Sequence, residues 1–171
     1  MKFPANFVAL AGYNQWVNAA IYAAAATLSD AERKRDMGAF FASLHATLNH
    51  NLLGDKIWLG RLAPLISPPH AATSLRDEVH ADFAALRAER VEIDARIVRW
   101  AATLDPQSLD GSLHYLRTDG AEASYPMLVI VTHFFNHQTH HRGQMTTLLK
   151  QLGVEPGDLD LFYWPGIKAY D

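Results

Sequence analysis

The stretch PMLVIVTHFFNHQTHHRGQMTTLLKQLG, residues 126–153, decides how the rest of the chain is read. It opens on Pro126, which suits the first turn of a helix, and closes on Gly153, which suits the position just past a helix end. At about 100° per residue, Ile130, Phe134, Met145, Leu148 and Leu152 share one face. The pattern predicts one long helix to about Leu152. It carries four of the chain's nine histidines, at 133, 137, 140 and 141. Two pairs, His133/His137 and His137/His141, have the i,i+4 spacing that lets two imidazoles converge on one metal. The wheel separates them: His137 and His141 fall within about 60° of the centre of the apolar face, while His133 and His140 lie at its edge or outside it.

Three further long helical patterns precede this one. The first runs from about Asn6 to Leu28, with Leu10, Tyr13, Val17, Ile21 and Ala24 at helical spacing, and Ser29 and Asp30 end it. The second runs from about Met37 to Leu62 and stops before Pro64, with Ser67, Pro68 and Pro69 as a rigid break. The third opens on a cap at Ser74 and runs to about Leu104, where Asp105 and Pro106 stop it. Between Gln107 and Tyr125 a weak alternation around Thr118, Asp119 and Gly120 predicts a small hairpin or an ordered loop. The tail, Val154 to Asp171, carries Leu159, Leu161, Phe162, Tyr163 and Trp164, too apolar for a free end, and is expected to pack on the helices. Four long helices in 171 residues predict a single all-α domain, residues 1–171, built as a four-helix bundle with a short hairpin or loop before the last helix.

Composition narrows the function. The chain is 49% hydrophobic and only 19% charged, with a net charge of −3 and no basic run, which argues against nucleic acid and anionic membranes as partners. It has no cysteine, so disulfides, Cys-ligated metals and a cysteine nucleophile are excluded, and any thiol must come from outside. No signal-peptide pattern opens the sequence and no apolar run reaches the roughly 18 residues of a membrane span, so a cytoplasmic, soluble protein is expected.

Two imidazoles make an incomplete site, since zinc and nickel usually take at least three protein ligands. The second helix offers His45 and His50. His45 shares a narrow polar stripe with Asn49 and Lys56 and is expected on the solvated face. His50 lies among Ala39, Ser43, Ala46, Leu53, Gly54 and Ile57, where small residues let a neighbouring helix approach and leave room for an ion. A single core-side histidine is more often a hydrogen-bonded structural residue, but three of them, two at i,i+4, point to a metal. The motif is not that of a zincin, because Gln138 follows His137 where H-E-x-x-H places its general base.

The segments YNQW (13–16), LNHNLLGDKIWL (48–59) and HFFNHQTHHRGQ (133–144), in this order over nearly the whole chain, resemble the DinB/YfiT family of metal-dependent proteins. The resemblance implies a four-helix bundle, often homodimeric, that holds divalent nickel or zinc through three histidines. By position these are His50, His137 and His141. It also implies a thiol-dependent transferase or isomerase acting on a small electrophile, with bacillithiol, mycothiol or glutathione as cosubstrate. A non-catalytic metal-binding protein and a metal-dependent hydrolase stay open as alternatives.

Other residues carry milder expectations. Asp55 lies among Leu44, Leu48 and Leu62 and needs a cation, for which Arg142 is the candidate. Asn14, Asn51, Tyr13 and Gln144 either support the metal ligands or satisfy buried polar atoms. Trp16, Trp58 and Trp100 are expected in the core. The second helix has two apolar faces, which favours a homodimer.

Overall fold

The computed structural model describes residues 3–170. Five α-helices follow in order: α1 (Phe3–Ala25), α2 (Asp30–Lys34), α3 (Leu44–Leu62), α4 (Phe83–Ala101) and α5 (Met127–Gln151). Strands β1 (Ser112–Leu116) and β2 (Glu122–Pro126) form an antiparallel hairpin just before α5, in which Leu113 faces Tyr125 and Tyr115 faces Ala123. The chain is mostly helical with one small sheet, and no helix among the described residues is long and apolar enough to cross a membrane.

The four long helices pack in a ring, α1 against α4 and α5, and α3 against the same two. Their apolar stripes meet inside it. Ile21 of α1, Leu48 and Leu52 of α3, Leu86, Ile93 and Ile97 of α4, and Val131 and Leu149 of α5 are at most 1% exposed. Each such side chain contributes about 1.5–3 kcal/mol by leaving water. Ser29 caps α2 with a full capping box to Glu32, and Gly153 adopts φ 80° just past α5, as its position predicts.

Two helices begin later than their periodicity predicts. Residues 37–43 form a tight turn instead of the first two turns of α3: Gly38 and Ala42 sit at φ 67° and 64°, and an isolated bridge links Ala39 to Ala42. Ser43 then caps α3 by accepting from the Ala46 amide. Likewise Ser74 does not open α4. Asp77 accepts from the Thr73 and Ser74 amides in a local turn, and Asp82 caps the helix that starts at Phe83.

The residues between α3 and α4 form a strap laid across α3. The His80 amide donates to Asn49 Oδ1, Asn49 Nδ2 donates back to the His80 carbonyl, and His45 Nε2 donates to that same carbonyl at 3.0 Å. His45, expected in solvent, is therefore only 2% exposed. Gly60 permits the close approach, since a Cβ there would stand 2.8 Å from the Pro69 Cα. With strap and hairpin in place, α3 is buried along most of its length within its own chain, so both of its apolar faces are covered.

The tail packs in part. The Tyr13 hydroxyl donates to the Leu159 carbonyl at 2.5 Å, and the Trp164 ring comes within 2.5 Å of where a Cβ on Gly12 would be. Phe162 and Tyr163, expected on the helices, stand 85% and 61% exposed, because the 3₁₀ turn Leu161–Tyr163 points them outward. Asp171 lies outside the described residues. Of the three tryptophans expected in the core, Trp100 is fully inside, whereas Trp16 and Trp58 are half-buried at its border.

Candidate metal centre

Where α3 crosses α5, the structure brings His50, His137 and His141 together, with one ligand nitrogen of each within 4.8 Å of the others. His137 and His141 sit one turn apart on the face of α5 that meets α3. Gly54, one turn beyond His50, makes the crossing close enough. A Cβ there would stand 2.9 Å from His137 Cε1.

The nitrogens that converge are specific. His50 Nε2 and His137 Nε2 each lie 3.1 Å from His141 Nε2. The other side of two of these rings fixes their tautomers. His50 Nδ1 donates to the Leu75 carbonyl at 2.7 Å, and His141 Nδ1 donates to Gln144 Oε1 at 2.8 Å. A neutral imidazole has one N–H, so each of these Nε2 atoms carries a lone pair. Two lone pairs 3.1 Å apart repel unless a cation lies between them. The separation suits neighbouring nitrogens about 2.0–2.1 Å from one ion. The cluster can hold a divalent metal.

All three imidazoles are driven toward the neutral, ligating form. Burial pushes His137 down to about 3, helped by His141 and His50, and it pushes His141 down to about 4 against the pull of Gln144. Burial also lowers His50, with the Leu75 carbonyl opposing. The Phe41 ring stacks on His50 with centroids 3.9 Å apart and meets His141 edge-on, closing one side of the cluster to water.

Sequence reasoning missed Phe41 and the Leu75 carbonyl. Phe41 belongs to the turn that replaces the first turns of the predicted second helix, and the Ser43 cap was the available signal. Leu75 belongs to the strap, inside what periodicity extends as helix. Of the supporting candidates, Gln144 bonds His141 of the cluster. Asn14 serves the core, Tyr13 anchors the tail, and the buried Asn51 amide makes no hydrogen bond among the described residues. His133 and His140 stand exposed outside the cluster.

The cation on Asp55 is Arg90, at 2.6 Å, and not Arg142. Arg142 instead donates to Asn14 and Thr139 and lies over the Tyr13 ring. Arg90 also meets Asp94 at 2.8 Å, Asn14 and Asn18 donate to Asp94, and Gln138 donates to Asp55 at 2.8 Å. This buried network ties all four long helices together directly beneath the histidines, for Gln138 follows His137 and Asp55 follows Gly54. Burial lowers the pKa of Arg142 from the ordinary arginine value, with Tyr13 and Asp55 opposing.

Beside His50 and His137 a cleft of about 320 Å³ opens between α3 and the hairpin, walled by Trp58 and Tyr115. No curated protein and no solved structure matches the chain. The model of the DinB family matches residues 1–166, which include all five α-helices and the three converging histidines, and the chain belongs to that family.

Proposed function

We propose that this protein is a divalent-metal-dependent enzyme that joins a low-molecular-weight thiol to a small electrophile, with His50, His137 and His141 as its metal ligands. The observation that carries the reading is the pair of Nε2 lone pairs held face to face at 3.1 Å by Leu75 and Gln144. A bound nickel or zinc ion supplies positive charge that lowers the pKa of a thiol or water beside it. The three imidazoles are neutral ligands and leave that charge uncancelled. Phe41 shields the cluster, and the cleft walled by Trp58 gives a small molecule room next to it.

A thiol is favoured over a hydrolytic water by what Gln138 does. It takes the place a zincin gives to its general base, yet it is fully buried and spent on Asp55. No carboxylate is among the residues that line the cleft. A thiol, with a free pKa of about 8.5, needs far less help to ionise than water does and can act without such a base. The reading takes residues 1–171 as one four-helix-bundle domain. With both apolar faces of α3 covered within the chain, its homodimer rests on the family resemblance alone, and a sedimentation mass of one chain at micromolar concentration would remove it.

Metal analysis of purified protein, followed by thiol conjugation to a panel of electrophiles, tests the proposal. Activity should require both thiol and metal and vanish on chelation. Bound metal with no conjugation by glutathione, bacillithiol or mycothiol would leave a metal-binding protein without turnover. Activity without thiol would make it a hydrolase.

A further inference from the structure

We infer that Arg61 makes the cleft beside the histidine cluster a binding site for a small molecule that carries a carboxylate. Arg61 lies on α3 three turns beyond His50, so the cleft that begins at the cluster runs along the helix to its guanidinium. It is a cation without an acid. No carboxylate pairs with it among the described residues, whereas the buried Arg90 has both Asp55 and Asp94. Its surroundings hold it in place rather than neutralise it. The guanidinium carbon lies 4.4 Å from the Tyr115 ring centroid and 4.9 Å from that of Trp58, and one NH2 group donates to the Leu116 carbonyl at 2.9 Å.

Trp58 and Tyr115 lie on one side of the guanidinium and one NH2 group is spent on Leu116, which leaves its remaining N–H donors for a ligand, and these suit the two oxygens of a carboxylate. Burial lowers the pKa of Arg61 with only Tyr115 opposing, the mark of a charge that lacks a counterion. The cleft as a whole agrees. Its lining contains Arg61, Arg117 and three histidines but no Asp or Glu, in a chain whose net charge is −3. Arg117 stands on the exposed rim and is already paired with Asp119 at 3.1 Å, so Arg61 carries the recognition. Trp58 and Tyr115 offer apolar walls to the body of the same molecule. A volume of about 320 Å³ admits one small ligand with its reactive end toward His50 and His137.

The assignment rests on the proposed function in taking the histidine cluster as the reactive end, but its test does not need the metal. Calorimetric titration of the full chain, metal-free and zinc-loaded, with phenylacetate and with its neutral analogue phenylacetamide isolates the carboxylate. The acid should bind about tenfold tighter than the amide in both forms. Arg61→Gln should bring the ratio close to one, Arg61→Lys should retain part of it, and Arg117→Gln should retain most. Because Lys keeps the charge and loses only the fork, its partial rescue separates recognition from any loosening of the hairpin. Equal binding of acid and amide by the metal-free wild type overturns the inference. So does a preference that survives in Arg61→Gln, or one confined to the zinc-loaded protein, which would put the carboxylate on the ion. Displacement of phenylacetate by glutathione, lost in Arg61→Gln, would assign the carboxylate to the thiol; displacement by thiol-free acids alone would assign it to the electrophile. A chain that takes up no metal but still prefers the acid would end the metal reading and keep this one.

Discussion

His50 Nε2 and His141 Nε2 face each other at 3.1 Å while each ring gives its Nδ1 proton to a carbonyl oxygen, Leu75 for the first and Gln144 for the second. The two acceptors come from different parts of the chain, a strap and a helix turn, yet impose the same tautomer. A cluster held in this way is set up for a cation before one arrives.

Alanine at His50, His137 or His141 should each abolish stoichiometric metal in protein purified and analysed by mass spectrometry. His140→Ala should leave both metal and stability unchanged, because that side chain is exposed. His45→Ala should also keep the metal but lose about 1–3 kcal/mol in urea unfolding. It removes a buried ring that contacts Glu78 at 3.3 Å and the His80 carbonyl at 3.0 Å. Metal loss in His45→Ala, or retention in His141→Ala, would redraw the ligand set.

Gln144→Ala should weaken zinc binding about 10–100-fold in a chelator competition, since it frees the His141 ring to rotate and change tautomer. The helix should survive, because Ala is the better helix former. Gln144→Glu keeps an acceptor at that position and should retain tight binding.

Gly54→Ala should move metal affinity and stability in different directions. Alanine improves helix propensity by about 1 kcal/mol. Its Cβ would meet His137 Cε1 at 2.9 Å, however, and push the ring off the cluster. The expected outcome is a melting temperature of the metal-free protein equal to or above that of the wild type, with clearly weaker zinc binding. Unchanged zinc binding would show that the ring shifts at no cost.

The network beneath the site predicts two stability effects. Arg90→Met leaves Asp55 and Asp94 buried without a counter-charge and should cost about 3–5 kcal/mol, read from urea midpoints. Acidity acts through Asp94, which burial lifts to about 6 against the pull of Arg90. A carboxyl whose native pKa is raised favours folding most when protonated. Its contribution is therefore complete below about pH 4, the ordinary carboxyl value, and is lost as pH rises through 6. Asp94→Asn removes this titration. The change in its urea midpoint between pH 4 and 7 should differ from that of the wild type by the loss of this falling component.

Much of the site was legible in the sequence because it lies on regular helices. The 3.6-residue period put His137 and His141 inward and His133 and His140 outward, and the small residues around His50 marked the side where α5 approaches. Weak alternation around Asp119 and Gly120 left a hairpin or an ordered loop open, and the structure forms the hairpin. Asp55 was legible as a buried acid in need of a cation, but its partner was not. Arg90 and Arg142 both sit on long helices, and which of them faces Asp55 depends on how those helices are rotated against α3.

By itself the sequence determined what each segment can do locally: which stretches are helical, which faces are apolar, and which histidines share a face. Only the tertiary structure decided where α3 and α4 begin, that His45 is buried, that Phe41 stacks on His50, and that the Leu75 carbonyl fixes the tautomer of His50. The reason is common to all four. Residues 37–43 and 63–82 gain more from hydrogen bonds and packing made to α3 than from extending a helix into solvent. That balance exists only once α3 is there to receive them.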